Sequence, residues 1–155
     1  MNAVGQRPFE RLIVPPPLLE TVVAHVQCEL PNEACGLLAG SVEGKTGRAT
    51  RHFPVRNDLA SPTEFFTNPR DLFDALKAVR AARVAVLAIY HSHPASEPVP
   101  SKTDVARNYW GETAMHVIVG FAQDNPRARA WWIGENGFEA AEMLITDNER
   151  NHAGG

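Results

Sequence analysis

Apolar residues recur at helical spacing in two segments of the chain. Leucine and valine follow this spacing between positions 18 and 26, after three consecutive prolines that suit a helix start, and Pro31 ends the pattern. The second segment covers 69–82 and begins after Asn68, whose side chain is a favourable helix cap. The pattern therefore predicts one helix that runs through Glu29 and another over 69–82. The same pattern directs four residues of the second helix toward the core: Leu72, Phe73, Leu76 and Val79.

The other apolar segments are short and separated by turn residues, which is typical of strands. A glycine-containing turn at 44–47 favours a hairpin between strands over 35–42 and 48–55. A continuous apolar run over 84–90 indicates a strand that is buried on both faces. We thus predict an α+β fold in which the last strands close the sheet in antiparallel pairs. The remaining predicted strands cover 8–14, 115–121, 128–133 and 138–145.

Length and composition are those of one compact domain. A chain of 155 residues can bury about two thirds of its unfolded surface, so we predict a single domain over 1–147 and a polar tail over 148–155. The net charge is -3 and the positive residues are scattered, which argues against a nucleic-acid partner. No apolar run approaches the roughly 18 residues that cross a bilayer, and the N-terminus lacks the order of a signal peptide. The sequence predicts a cytoplasmic protein without a membrane partner.

A His-Ser-His-Pro run at 91–94 directly follows the buried strand. Side chains at i and i+2 leave the same face of a strand, so His91 and His93 can converge on one ion while the serine between them points away. Prolines then end the strand, and Ser101 is a favourable cap for a helix over 102–109 that places Asp104 in its first turn. Two imidazoles, one carboxylate and an open fourth position are typical of a catalytic zinc site.

The remaining histidines and the cysteines show no ligand spacing. Cys28 and Cys35 form no CxxC pattern and have no second pair, so we predict two reduced thiols, with Cys35 as a small buried residue. The other histidines have no ligand-like neighbours in sequence, and no site is predicted for them: His25, His52, His116 and His152.

The segment HSHPASEPVPSKTD, residues 91–104, resembles the JAMM motif of the MPN-domain metalloproteases, which reads His-x-His-Pro, six residues, Ser-x-x-Asp. It matches without insertion or deletion. That family also uses a glutamate far upstream, and the segment PNEACGLLAG at 31–40 resembles the one that carries it. The resemblance covers nearly the whole chain. It implies a mixed, curved β-sheet flanked by helices, in a cytidine-deaminase-like architecture.

Carried onto this chain, the resemblance implies a role for five residues. His91, His93 and Asp104 would bind one Zn²⁺ ion, and the water on this ion would be the nucleophile. Glu33 would hold and deprotonate that water and then protonate the leaving amine. Ser101 would donate a hydrogen bond to the developing oxyanion. Zinc lowers the pKa of bound water to about 7, so a nearby carboxylate can take its proton at neutral pH.

The resemblance also implies a substrate class. JAMM proteases commonly cut after the C-terminal Gly-Gly of ubiquitin or of small sulfur carriers, and this chain is most similar to the bacterial peptidases that remove cysteine from a sulfur carrier protein. We therefore expect a ubiquitin-like or sulfur carrier partner with a Gly-Gly tail, with 61–66 as a candidate wall of its groove. The identity of the carrier, the leaving group (cysteine, a peptide or a lysine amine) and the formation of a homodimer stay open.

Two other classes of protein share parts of this pattern. A non-catalytic MPN scaffold would keep the fold, but such proteins usually lose a ligand or the glutamate, and here all five positions are filled. A RadC-like protein has Ser-Gly where this chain has Ala95 and Ser96, and it carries a helix-hairpin-helix region that is not found here. The terminal Gly154 and Gly155 raise a further hypothesis, self-inhibition by a product-like tail, beside the simpler one of a frayed terminus.

Overall fold

The computed structural model describes residues 7–123 and 125–146, so the predicted domain boundary, His152 and the Gly-Gly tail lie outside the described residues. Within this part of the chain, no helix combines the length and the apolar character needed to cross a bilayer. The elements, in chain order, are β1 Arg11–Val14, α1 Pro16–Cys28, β2 Cys35–Glu43, β3 Thr46–Val55, α2 Pro69–Ala81, β4 Ala85–His93, α3 Lys102–Ala106, β5 Met115–Gly120, β6 Arg127–Ile133, β7 Phe138–Ala140 and β8 Glu142–Ile145.

The strands form one mixed, curved sheet in the order β7-β6-β5-β4-β2-β3-β1-β8. Strands β7 and β8 follow each other in the chain but lie at the two opposite edges of this order, with Ala141 between them. The Ala141 N–H donates to Ala130 O at 2.9 Å, which fixes the crossing point. The two edges therefore come close together, and the sheet is nearly closed. The predicted α+β fold with a curved mixed sheet is confirmed.

The prediction of one antiparallel strand over 138–145 is wrong. Strand β7 pairs antiparallel with β6, whereas β8 pairs parallel with β1. Strand β5 is also parallel to its neighbour β4. Alternation of apolar and polar residues reports which face a side chain takes, but it carries no information on the partner strand. The residue pattern therefore could not show that this segment divides into two strands at Ala141.

Helix α2 is capped as predicted, since the Asn68 side chain accepts a hydrogen bond from Asp71 N at 2.8 Å. The assignment of Phe73 and Leu76 to the core is wrong, because they are 59% and 37% exposed. The buried positions of this helix are Ala75 and Val79, with Leu72 packed beside them. This stripe is narrower than the one the pattern predicted. Phe73 lies outside it, where Lys77 Nζ approaches the ring centroid to 5.5 Å.

The core lies on both faces of the sheet, and β4 contributes to each. Tyr90 belongs to the larger apolar cluster, which also contains Val22 and Val26 of α1. Ile89 belongs to a second cluster that contains Ala75 of α2. Alternation along the strand therefore directs the predicted ligands of β4 away from α1. The candidate site lies on the α2 and α3 side of the sheet.

Candidate metal centre

Three side-chain atoms meet at the C-terminal end of β4. His91 Nε2 and His93 Nε2 are 3.2 Å apart, and each is 3.1 Å from Asp104 Oδ2. A tetrahedral zinc ion with bonds of about 2.0–2.1 Å needs ligand atoms about 3.3–3.4 Å apart, so the three atoms match one face of such a tetrahedron. The fourth vertex is left to a water or a substrate. This group could hold a metal ion.

Hydrogen bonds fix the orientation of two of these side chains. His93 Nδ1 donates to Glu97 O at 2.9 Å, which turns Nε2 toward the centre of the group. The Ser101 backbone N–H donates to Asp104 Oδ2 at 2.9 Å, while Ser101 Oγ accepts from Asp104 N at 3.0 Å. This reciprocal capping box starts α3 and aims the carboxylate at the histidines. The predicted cap and the predicted convergence of the three side chains are both present.

Helix α3 is shorter than the predicted 102–109. It ends at Ala106, and the Asn108 side chain then accepts from Trp110 N at 3.1 Å and donates to Ile133 O at 2.6 Å. Asparagine side chains that bond to nearby backbone groups compete with helical hydrogen bonds. The chain leaves the helix at this point for that reason.

The three atoms form a group that suits a shared cation. Because Glu97 O can only accept, His93 Nδ1 carries the hydrogen, and Nε2 of a neutral ring then faces the carboxylate oxygen with a lone pair. Burial disfavours the charged form of both His93 and Asp104. The Asp104 carboxylate nevertheless raises the pKa of His93, and contacts with His91 and His93 lower the pKa of Asp104 against the effect of burial. A metal cation bound between His93 Nε2 and Asp104 Oδ2 would relieve this opposition of lone pairs.

Glu33 lies in the turn between α1 and β2, beside this group. Its neighbour Ala34 is held to β4 on both sides, since Ala34 N donates to Ser92 Oγ at 2.9 Å and Ser92 N donates to Ala34 O at 3.1 Å. Glu33 N also donates to Ser61 O at 2.8 Å. The serine between the two histidines points away from them, as predicted, and it thereby fixes the turn that carries Glu33.

The Glu33 carboxyl group is buried. Glu33 is 4% exposed, and its Oε1 has no hydrogen-bond partner among the described residues. Burial raises the pKa of Glu33 to about 8, helped by the negative charge of Asp104 and opposed by His93. A carboxyl group with a near-neutral pKa beside a metal-binding group is suited to proton transfer at neutral pH.

Cys35 matches its prediction as a small buried residue. Its Sγ lies 3.3 Å from Val55 O, and burial raises the pKa of the thiol to about 12. The thiolate form is therefore unavailable at neutral pH, and Cys35 is not a nucleophile. Cys28 is exposed, and both thiols are free.

The loop over 57–67 covers one side of the candidate metal centre. The Phe65 ring stacks on His91, with centroids 4.5 Å apart and an interplanar angle of 24°. Glu64 Oε1 pairs with Arg107 Nη1 at 2.8 Å, which ties the loop to the end of α3. A cavity of about 60 Å³ lies between the loop and α3, and His91 and Asp104 are among its lining residues.

Three histidines for which the sequence predicts no site make polar contacts or line the cavity. His25 Nδ1 lies 2.6 Å from the Tyr90 hydroxyl, and His52 Nε2 contacts the same hydroxyl from β3. His116 lines the cavity beside His91. Sequence spacing could not reveal these contacts, because each joins separate strands or a strand and a helix. Phe65 was missed as a ligand neighbour for the same reason, although its loop was a candidate groove wall.

Comparison with known proteins places the chain in a family. Residues 15–134 match the model described as prokaryotic homologs of the JAB domain. The chain is 39% identical over 94 residues to a CysO-cysteine peptidase of Mycobacterium tuberculosis, an alignment that spans 61% of this chain and 63% of that protein. It is 40% identical over 110 residues to a probable TtuB-protein conjugate cleaving protease of Thermus thermophilus, with 70% of each chain aligned.

A solved structure has the same fold. The solution structure of protein DSY2949 from Desulfitobacterium hafniense superposes with a TM-score of 0.80 at 29% identity, over 91% of this chain and 97% of that one. The alignment with the mycobacterial peptidase spans less than two thirds of that protein's own length. The family model, by contrast, extends from α1 through β6. The chain therefore belongs to the family of prokaryotic homologues of the JAB domain.

Proposed function

We propose that this protein is a zinc-dependent JAMM-type peptidase or isopeptidase that cleaves the amide bond after the C-terminal Gly-Gly of a ubiquitin-like or sulfur carrier protein. The observation that carries the proposal is the buried carboxyl of Glu33 beside the His91, His93 and Asp104 group, since its Oε1 has no partner within the described ranges. The names of the two relatives, a CysO-cysteine peptidase and a TtuB-protein conjugate cleaving protease, support the substrate class. A cytoplasmic location remains a prediction from the sequence.

In the proposed mechanism, one Zn²⁺ ion would be held by His91, His93 and Asp104. When bound, zinc would supply a water of lowered pKa and polarise the scissile carbonyl. Glu33, which lies close enough to His93 and Asp104 to interact with their charges, would accept the proton of that water and return it to the departing amine. Ser101 Oγ accepts from Asp104 N, so its hydroxyl hydrogen is free to donate to the developing oxyanion.

Replacement of Ser101 by alanine separates this donor role from the capping role. Loss of an oxyanion donor lowers kcat by about 10²-fold, whereas loss of the cap alone lowers stability by about 1 kcal/mol. We expect Ser101→Ala to show both effects, with KM nearly unchanged, in steady-state assays and thermal melts. Ser96→Ala, an exposed serine of the same loop, is the matched control. A variant with a lower Tm but a normal kcat would show that Ser101 acts only as the helix cap.

The proposed substrate tail would lie beside the loop over 57–67. Glycine at its end would let the backbone approach the metal closely, and the extended tail would add alongside the protein backbone as a strand does. The stacking of Phe65 on His91 brings this loop next to the reacting position. The loop therefore supports the choice of an extended, small-residue tail over a bulky one.

The substrate test compares three conjugates by mass spectrometry. The zinc-loaded protein is incubated with a Gly-Gly-ending sulfur carrier extended by one cysteine, with the same carrier linked to a lysine amine, and with a ubiquitin dimer. We expect cleavage after Gly-Gly in at least one carrier conjugate and none in the ubiquitin dimer. The Glu33→Gln protein serves as the inactive control.

A non-catalytic scaffold is the second candidate function. It predicts tight binding of the carrier tail and about one equivalent of zinc, but unchanged masses for all three conjugates. This outcome would refute the peptidase activity and leave the family assignment unchanged. The raised pKa of Glu33 favours the enzyme, because a scaffold has no use for a proton-transfer group beside the metal.

A further inference from the structure

The two candidate histidine ligands are supported differently. His93 Nδ1 donates to a carbonyl, as metal-binding histidines usually do with their second nitrogen. His91 is fully buried, yet its Nδ1 has no hydrogen-bond partner among the described residues. When Nε2 faces a metal with its lone pair, Nδ1 must carry the hydrogen. His91 therefore presents an unused donor on the side away from the metal.

A second buried ring nitrogen without a partner lies at the same cavity. His116, on β5, is 4% exposed, and its Nδ1 also lacks a partner within the described ranges. Residue 116 pairs with Ile89 on β4, two positions before His91, so the two histidines project from the same face of the sheet. Both rings line the cavity of about 60 Å³ under the 57–67 loop.

The tautomer of His116 follows from its other nitrogen. The Asn108 amide is oriented by its own contacts, because Nδ2 donates to Ile133 O and Oδ1 accepts from Trp110 N. His116 Nε2, 3.0 Å from that Oδ1, must then be the donor. Burial lowers the pKa of His116 to about 4, which keeps the ring neutral at neutral pH. Its Nδ1 is therefore an unused acceptor.

We propose that a water in this cavity accepts from His91 Nδ1 and donates to His116 Nδ1, which makes His116 a positioning residue for the metal ligand His91. A donor and an acceptor are the pair that one water satisfies, and the cavity exceeds the roughly 10–15 Å³ that a water needs. The bridge fixes the ring plane of His91 together with the stacked Phe65. It also increases the electron density on Nε2, and so strengthens metal binding.

Two substitutions at His116 separate this role from a structural one. Glutamine places its amide near the former Nε2, so His116→Gln keeps the bond to Asn108 and removes the acceptor at Nδ1. Asparagine places its amide near the former Nδ1, so His116→Asn keeps the acceptor and loses the bond to Asn108. The glutamine variant should therefore bind metal poorly but fold well, and the asparagine variant should do the reverse.

The test measures zinc affinity by competition with a chromophoric chelator, together with thermal melts of the metal-free proteins. Loss of an outer-shell partner lowers metal affinity by about 10- to 100-fold, and we expect this loss for His116→Gln but not for His116→Asn. Zinc affinity of His116→Gln within about twofold of the wild type, or a greater loss in His116→Asn, would overturn the inference. The inference rests on the proposed zinc site, and wild-type protein that binds no zinc would overturn both.

Discussion

Glu33→Gln is expected to lower kcat by about 10³-fold while the protein still binds one equivalent of zinc, since general acid–base catalysis contributes about 10²- to 10⁴-fold. Glutamine keeps the shape of the side chain but cannot accept a proton. Because Glu33 supplies none of the three converging ligand atoms, the variant should bind metal with an affinity close to that of the wild type. Zinc content by atomic absorption and turnover of the cleaved conjugate give the two measurements.

Glu29→Gln is the matched control, because Glu29 lies at the end of α1, is exposed and loses the same charge. An independent readout comes from the metal-free proteins. Burial raises the pKa of Glu33 to about 8 from its ordinary value of 4.5, so ionisation disfavours the folded state increasingly between these two pH values. Glu33→Gln should therefore melt above the wild type at pH 9, and the difference should vanish below pH 4.5. Normal turnover by the variant would refute the general-base role.

Local pattern was sufficient to predict the elements that carry the ligands. A strand places i and i+2 on one face, and a serine cap with an acidic residue three positions later makes a capping box, so His91, His93 and Asp104 converge from local rules alone. The helix cap at Asn68 was equally local. Each of these features depends on residues within one turn or one strand.

Local sequence pattern could not predict the features that depend on strand pairing. The turn that carries Glu33 reaches the metal centre because β2 pairs with β4, with Cys35 opposite His91. Only the family resemblance pointed to that glutamate. The division of 138–145 between two edges of the sheet and the approach of His116 to His91 have the same origin. The choice of neighbouring strands and the closure of the sheet depend on all its strands, and no single segment determines them.

The exposure of Phe73 and Leu76 has a different cause. Helical spacing defines an apolar stripe, but the width of the buried part depends on what packs against it. Helix α2 presents Ala75 and Val79 to the sheet, and the small alanine allows close approach along a narrow contact. The apolar residues beside this contact remain at the surface. The sequence alone could not reveal that limit.

Asp104→Asn is expected to weaken zinc binding by more than about 100-fold, because changes to outer-shell partners alone lower metal affinity by about 10- to 100-fold. The substitution is conservative for the fold. An asparagine oxygen can still accept from Ser101 N and keep the start of α3, but it offers the metal no negative charge. Calorimetric titration with zinc would measure the loss, and the conjugate assay should show no turnover at zinc concentrations that saturate the wild type.

The melting temperature supplies a second measure of the same loss. At free zinc 1,000-fold above its Kd, the wild type gains about 4 kcal/mol of stability from binding, and a 100-fold weaker variant gains only about 1.4 kcal/mol. Zinc should therefore raise the Tm of the variant far less than that of the wild type. Asp74→Asn, which removes an exposed carboxylate of α2 paired with Arg70, is the control and should respond to zinc as the wild type does. If Asp104→Asn gained the full stabilisation, the metal would have to lie elsewhere, and the three converging atoms would be only a hydrogen-bonded cluster.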